Sequence, residues 1–195
     1  HYWPLEKMNL EKNFERNVKN HINDGHIKHL SVFALAPQPL LVVLGRLISD
    51  LVPTDVYQLK KEPTTWKWLE GDSVDYELIE PELKKSKVAL NISLSATIEN
   101  SRLTKVIGDD VSIWTLTIDE PDNDFLKTPK SLESFRVIAR KTFEKIKLRH
   151  GHDTILNVFP AMPVSTAVEF GRVWQPKADM EMVIYDENRS KGGFV

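Results

Sequence analysis

The chain has 195 residues, 41% hydrophobic and 28% charged, with a formal net charge of −2. That is enough for one sizeable domain or two small fused ones of ordinary globular composition. The charge balance argues against a broad grip on duplex nucleic acid, apolar runs such as Leu40 to Leu44 are too short to cross a bilayer, and the lack of cysteine removes disulfides, thiolate metal sites and a cysteine nucleophile. A small anionic ligand held by backbone amides and a few cations stays open. The cysteine-free composition fits a reducing cytosol, so a cytoplasmic location is expected.

Residues 1–27 are polar and mixed in charge. They read as a helix and a connector, and the opening His1 suggests a piece cut from a longer protein. His21, His26 and His29 read as solvated connector residues, with no metal expected. Leu30 to Leu35, rich in Val and Phe, predicts a buried strand. Pro37-Gln38-Pro39 punctuates it, and Leu40 to Leu51, apolar almost all round, predicts a helix buried between layers. Gly45 inside that helix predicts close contact with a sheet. Asp55 to Leu59 reads as a strand, followed by a loop from Lys60 to Trp68. Val88 to Ser95 and Val111 to Ile118 read as strands, with a short helix near Leu103 to Ile107 between them. Asp119 to Pro129, rich in Asp and Pro, reads as a linker that leaves some freedom. Thr128-Pro129 marks the start of a long helix with a buried face of Phe135, Ile138, Ala139, Phe143 and Ile146, stopped at His150-Gly151. Thr154 to Phe159 reads as a strand, Pro163 to Val173 as a helix and Met180 to Tyr185 as a closing strand. Strands alternating with helices predict an α/β fold with mainly parallel sheets.

Two stretches repeat without a gap. Val32-Phe33-Ala34-Leu35-Ala36-Pro37 runs on to Gly45-Arg46, and Val158-Phe159-Pro160-Ala161-Met162-Pro163 runs on to Gly171-Arg172, with Val42 matching Val168. Each predicts strand, sharp turn and helix. Such a repeat implies a pseudo-symmetric pair of units, halves of about residues 28–119 and 120–195, related by a near-two-fold rotation.

In α/β sheets ligands bind just past the strand C-termini, where helix starts face the crevice. There the sequence places Pro37 and Gln38, then Lys60, Trp66, Lys67 and Trp68, then Ser93 and Ser95, then Pro160, Ala161, Met162 and Ser165. Two tryptophans flanked by lysines offer stacking faces and positive charge, as nucleobase sites require. Each has a plainer alternative: tryptophans that only cover the core, serines that line an edge strand, and a Gln38 that caps its helix. Arg46 and Arg172 are possible charge partners, or pack their stems and pair with acids inside the fold. G-x-G-x-x-G, Walker A and G-x-S-x-G patterns are absent, and no catalytic residues or cofactor are expected.

Ser31-Val32-Phe33-Ala34-Leu35-Ala36-Pro37-Gln38-Pro39-Leu40-Leu41 resembles the start of the SAVED domains of bacterial anti-phage CBASS effectors. The resemblance continues in Val56-Tyr57-Gln58-Leu59, Trp66-Lys67-Trp68 and Ile92-Ser93-Leu94-Ser95, and ends with Phe159-Pro160-Ala161-Met162-Pro163 through Gly171-Arg172. It implies two fused CARF-like, Rossmann-like units over residues 28–195. The implied function is that of a non-catalytic sensor of a cyclic oligonucleotide second messenger, a cyclic di- or trinucleotide. It further implies a fused effector missing from this chain, often an endonuclease, and homo-oligomerisation on ligand binding; no membrane partner is implied. A rival reading is a Rossmann-like ring nuclease that cleaves such messengers, for which His152 and Lys60 are the candidate groups.

Overall fold

The structure, a computed structural model, describes residues 2–188 and 192–195. The N-terminal helix α1 (Tyr2–Phe14) continues through one π-helical turn (Glu15–Lys19) into α2 (Asn20–Asn23). It buries Phe14 against the body and ties Glu11 to Arg46 at 2.6 Å. The first unit is small. Strand β1 (Leu30–Val32) pairs in parallel with β2 (Thr54–Val56), and α3 (Gln38–Ile48) crosses between them. Helix α3 stops before Pro53, at Ser49, where the backbone turns through φ +46°.

The second unit is built on five strands: β3 (Glu77–Ile79), β4 (Lys87–Ser93), β5 (Val111–Thr117), β6 (Leu156–Ala161) and β7 (Met182–Ile184). Their order is β3-β5-β4-β6-β7, parallel except for β3, which pairs antiparallel with β5. Alternation along the strands supplies two faces. Val88, Leu90, Ile92, Trp114, Leu116, Leu156 and Val158 face the main core with helices α5 (Pro129–His150) and α6 (Val164–Val173). Ala89, Val111 and Phe159 face a second cluster with Leu103 and Ile107 of α4 (Asn100–Ile107) and Phe194 of the hairpin β8–β9 (Glu187–Asn188, Gly193–Phe194). Both faces of β4 are covered, so Val88 to Ser93 are all buried, the polar Asn91 and Ser93 included.

The long helix begins as its sequence predicts. The Thr128 hydroxyl accepts from the Ser131 amide, Pro129 occupies the first helical position, and Gly151 ends the helix at φ +94°.

Three expectations change. Gly45 does not face a sheet; it faces α6. An added Cβ there would overlap the Val168 carbonyl oxygen and sit 2.9 Å from the Arg172 nitrogen, while one at Gly171 would overlap the Val42 carbonyl oxygen and sit 3.0 Å from the Arg46 nitrogen. The two repeat helices thus pack backbone to backbone, with contacts exchanged reciprocally as in a two-fold interface. Second, the five-stranded sheet runs across the expected divide at 119/120, because β3, β4 and β5 precede it and β6 and β7 follow it. Third, the Asp- and Pro-rich stretch is pinned rather than free. Leu126 is buried in the main core, the Asp122 amide donates to Leu94, the Leu69 amide donates to Lys127, and the Thr128 hydroxyl donates to Asp72.

Candidate functional site

The repeat continues into the strand ends. Pro37 and Pro163 turn the chain from strand to helix with nearly the same backbone, φ −55° and ψ 146° against φ −58° and ψ 154°. Past β2, the Tyr57 amide donates to Val32 at 2.9 Å; past β7, the Tyr185 amide donates to Val158 at 2.9 Å. Tyr57 then stacks on Phe33, with ring centroids 4.5 Å apart, and Tyr185 stacks on Phe159 at 4.4 Å. A third ring meets each phenylalanine edge-on: Trp66 at Phe33 and Phe194 at Phe159. The two triads differ in exposure. Phe159 is sealed at 0% exposed, under Phe194 with Arg102 over its ring, whereas Phe33 is 53% exposed. Burial in the closed triad pushes the Tyr185 phenol pKa up, and its hydroxyl donates to Asn157.

Two glutamines of the first unit reach across to the turn between β6 and α6. Gln38 Nε2 donates to the Met162 carbonyl at 2.6 Å. Gln58 Oε1 accepts from the Ser165 amide at 3.2 Å and from its hydroxyl at 2.8 Å. Gln38 Oε1 is sealed from solvent without a hydrogen-bond partner among the described residues. Arg140 Nε and Glu169 Oε2 are also sealed without one, but each lies within ion-pair distance of an opposite charge: Glu144 at 3.3 Å and Arg136 at 3.2 Å. Gln38 Oε1 therefore stands apart as an acceptor with no compensation, a state that costs about 1–3 kcal/mol.

Lys60 follows on the same loop as Gln58, and its backbone pairs with Thr65. The residue is only 5% exposed, and its ammonium has no hydrogen-bond or ion-pair partner among the described residues. The stem is buried, but Nζ is not among the sealed atoms and so reaches solvent. Lys67 is exposed on the same loop, two residues past Thr65. Phe33, Ala34, Leu35 and Ala36 also line a groove of 620 Å³ against α1.

Other predicted residues are already employed within the fold. Ser93 is buried: its hydroxyl donates to Asn91 and accepts from the Ile98 amide, so it serves the β4–α4 turn. Ser95 is partly buried, and its amide donates to Ala161 at 2.7 Å. Ser165 is buried and bound by Gln58, so the start of α6 is capped from the other unit. Pro39 has no amide to offer at the start of α3, and the Leu40 and Leu41 amides donate to Pro37. Pro160 is buried within β6 opposite Ile92. It sits beyond the last β6–β7 pair at Val158, where its missing N–H breaks no ladder bond. Trp68 packs against the main core. Its neighbour Leu69 is held by Lys127, so Trp68 and Trp66 play different parts.

Arg46 and Arg172 lie at the far ends of α3 and α6, away from the strand ends. Both line a charged cavity of 1680 Å³ bordered by α1 and α5. Arg46 pairs with Glu11, and Arg172 with Glu169 at 2.7 Å and with the Ser49 carbonyl. Internal pairing, one of the two readings open from sequence, is what they do. His152, exposed beside Asp153, precedes β6 and so lies at the opposite end of that strand from the turn that Gln58 reaches. Six residues of strand, roughly 20 Å, separate those ends, so His152 and Lys60 do not share a site.

Phe33 and Tyr57, absent from the predicted site, are the aromatic centre of the open triad. Phe33 lay inside the repeat itself, and its match to Phe159 was the available signal.

Two Rossmann-like strand–turn–helix–strand units, facing each other through α3 and α6, define an α/β protein of the paired-crevice kind. Residues 10–195 match the family described as the SMODS-associated and fused to various effectors sensor domain, and the chain belongs to this SAVED family. No curated protein matches the sequence. Among solved structures it is similar to the Acinetobacter baumannii Cap4 SAVED/CARF-domain containing receptor. With the cyclic trinucleotide 2'3'3'-cAAA, that receptor superposes at TM-score 0.67 and 14% identity, over 91% of this chain and 40% of the receptor chain. A second structure of the receptor gives TM-score 0.64 and 13% identity, over 90% and 37%. A third, with the cyclic trinucleotide 3'3'3'-cAAA, gives 0.64 and 14%, over 89% and 39%. This chain thus spans about 40% of the length of the receptor it resembles. No described helix is long and apolar enough to cross a membrane.

Proposed function

We propose that this chain binds a cyclic oligonucleotide second messenger at the strand ends of its first unit, between that unit and the β6–α6 turn. A cyclic trinucleotide is the favoured ligand, because two of the Cap4 receptor structures similar to this chain hold cyclic trinucleotides. The observation that carries the reading is a pair of unmatched polar groups at this end: Lys60 without an acidic partner and Gln38 Oε1 without a donor. A phosphate suits the first and a base N–H the second. The half-open Phe33–Tyr57–Trp66 triad supplies a stacking surface for a base. Ala161, which accepts from the Ser95 amide, and Met162, which accepts from Gln38, lie at the β6–α6 turn on the other side of this site, Pro37 starts the matching turn of the first unit, and Lys67 adds exposed charge on the Lys60 loop.

In this reading the chain is the sensor half of a longer cytoplasmic anti-phage effector. Ligand binding drives homo-oligomerisation and switches on a fused effector, an endonuclease in the first instance. The chain itself performs no chemistry on the messenger.

Calorimetric titration with a panel of cyclic di- and trinucleotides tests the reading, with recovery of intact ligand checked by chromatography. The expected result is binding of at least one member without turnover, weakened in Lys60→Met and Gln38→Leu. Sedimentation with that ligand is expected to show larger assemblies. Failure of every member to bind, or cleavage of the ligand, overturns it; unchanged sedimentation removes oligomerisation from the isolated domain.

A further inference from the structure

We propose that His21, Asp24 and His26 form a binding site for a transition-metal dication of the zinc type, at the end of the N-terminal helix. The sequence there is His21-Ile22-Asn23-Asp24-Gly25-His26. Helix α2 ends at Asn23 with Asp24 as its cap, and Gly25 reverses the chain at φ +73°, a conformation that glycine adopts without strain. Four backbone hydrogen bonds close the turn. The Asp24 amide donates to Asn20, the Gly25 amide to Ile22, and the His26 and Ile27 amides both to the His21 carbonyl. The closure carries His26 back over His21, with ring centroids 6.0 Å apart. One ligating atom of each of His21, Asp24 and His26 lies within 4.8 Å of the other two.

These side chains are uncommitted. None of the three has a hydrogen bond or ion pair to any other group among the described residues, whereas the neighbouring His29 is held by Asp55 at 3.0 Å. All three are exposed, so their ionic and imidazole groups remain hydrated and free to turn. A tetrahedral ion about 2 Å from each donor sets the donors roughly 3.3 Å apart. Exposed side chains reach that spacing by rotation alone, because the backbone turn has already paired them. Two imidazole nitrogens and one carboxylate oxygen suit zinc, nickel, cobalt or copper rather than magnesium or calcium, which take oxygen sets. Three protein ligands leave a fourth position for water. A bound ion would fasten the end of the N-terminal helix to the connector that leads into β1.

The test uses the intact chain and zinc chloride, followed by calorimetry, with cobalt chloride and visible absorption as a spectroscopic check. The expected result is one equivalent of zinc and a cobalt spectrum of tetrahedral intensity. His21→Ala and His26→Ala each remove a ligand. Each should cost more than the roughly 10–100-fold that loss of an orienting partner costs. Asp24→Asn should weaken binding, and His29→Gln should leave it unchanged. These exposed positions carry no core packing, so the variants should unfold at the wild-type temperature without metal. Absence of zinc binding in the wild-type chain overturns the site, as does equal binding by the His21→Ala/His26→Ala double variant.

Discussion

Substituting Gly45 by Ala opposes two effects of known size. Within a helix interior the change is intrinsically favourable by about 0.5–1 kcal/mol. Here the new methyl group would overlap the Val168 carbonyl oxygen, so α3 and α6 must part by about 1 Å. The obstacle is backbone on a buried helix, which has no rotamer to change. Overpacking of this kind costs typically 1–3 kcal/mol, and a gap of 0.5–1 Å forfeits about a quarter to a half of each dispersion contact around it. The steric cost wins, with a net loss of roughly 2 kcal/mol at the upper end of that range. For a chain of this length that lowers the melting temperature by roughly 4–8 °C. Gly171→Ala should cost about the same, because its methyl group meets Val42 as the other meets Val168. The double variant should lose less than the two single losses combined, since one separation relieves both clashes. Thermal and urea unfolding of the three variants measures all of this. A single variant as stable as wild type, or more so, refutes the reasoning.

The two tryptophans should separate by assay. Trp66→Ala should weaken binding of a cognate cyclic nucleotide by roughly 1–3 kcal/mol with a near-normal melting temperature, and Trp68→Ala should lower the melting temperature instead. Equal effects in both assays would remove the distinction. Gln58→Ala strips the Ser165 amide and hydroxyl of their acceptor and should destabilise the fold by about 1–3 kcal/mol in denaturant titrations, with Gln58→Glu restoring much of it. Acid should also weaken the fold through His150. Its ring accepts from Trp114 Nε1 at 3.1 Å, which requires the neutral form. Burial chiefly, then Lys84 and Arg149, holds its pKa below the ordinary histidine value of about 6.5. The folded chain then binds fewer protons than the unfolded one just below that value. The contribution is whole above about pH 6.5 and is lost as pH falls toward the depressed folded value. His150→Phe should flatten this part of the stability profile; an unchanged slope would assign it to other groups.

The repeat was legible because it is written in residues that its own geometry demands. Pro37 and Pro163 set the same turn, and Gly45 and Gly171 each meet the helix that carries the other. The destination of those glycines was not legible, because a missing side chain marks close approach without naming the neighbour. Thr128-Pro129 and the apolar stripe of α5 depend only on local spacing, so they came through. Strand β3 and the β8–β9 hairpin did not: two or three residues are too few for a period, and pairing decides them. The tie between Phe33 and Tyr57 escaped for a definite reason. Tyr57 follows Phe33 by 24 residues but Tyr185 follows Phe159 by 26, so a gapless alignment cannot match them. Ser93 and Ser165 fit the donor chemistry, but sequence does not reveal that Asn91, Ile98 and Gln58 already occupy them. The Asp119 to Pro129 stretch has the composition of a linker, and Phe125 and Leu126 within it are what anchor it.

Where α3 meets α6, main chain rests on main chain at two reciprocal points, with no long side chain in between. Sliding of packed helices is usually absorbed by side chains that switch from one groove to the next, and this contact has none to switch. Any change in the attitude of one unit to the other must therefore turn about the glycines as about a pivot pin. Displacement then grows with distance from that pin: it is small at Arg46 and Arg172, which adjoin the glycines, and larger at the Phe33–Trp66 edge.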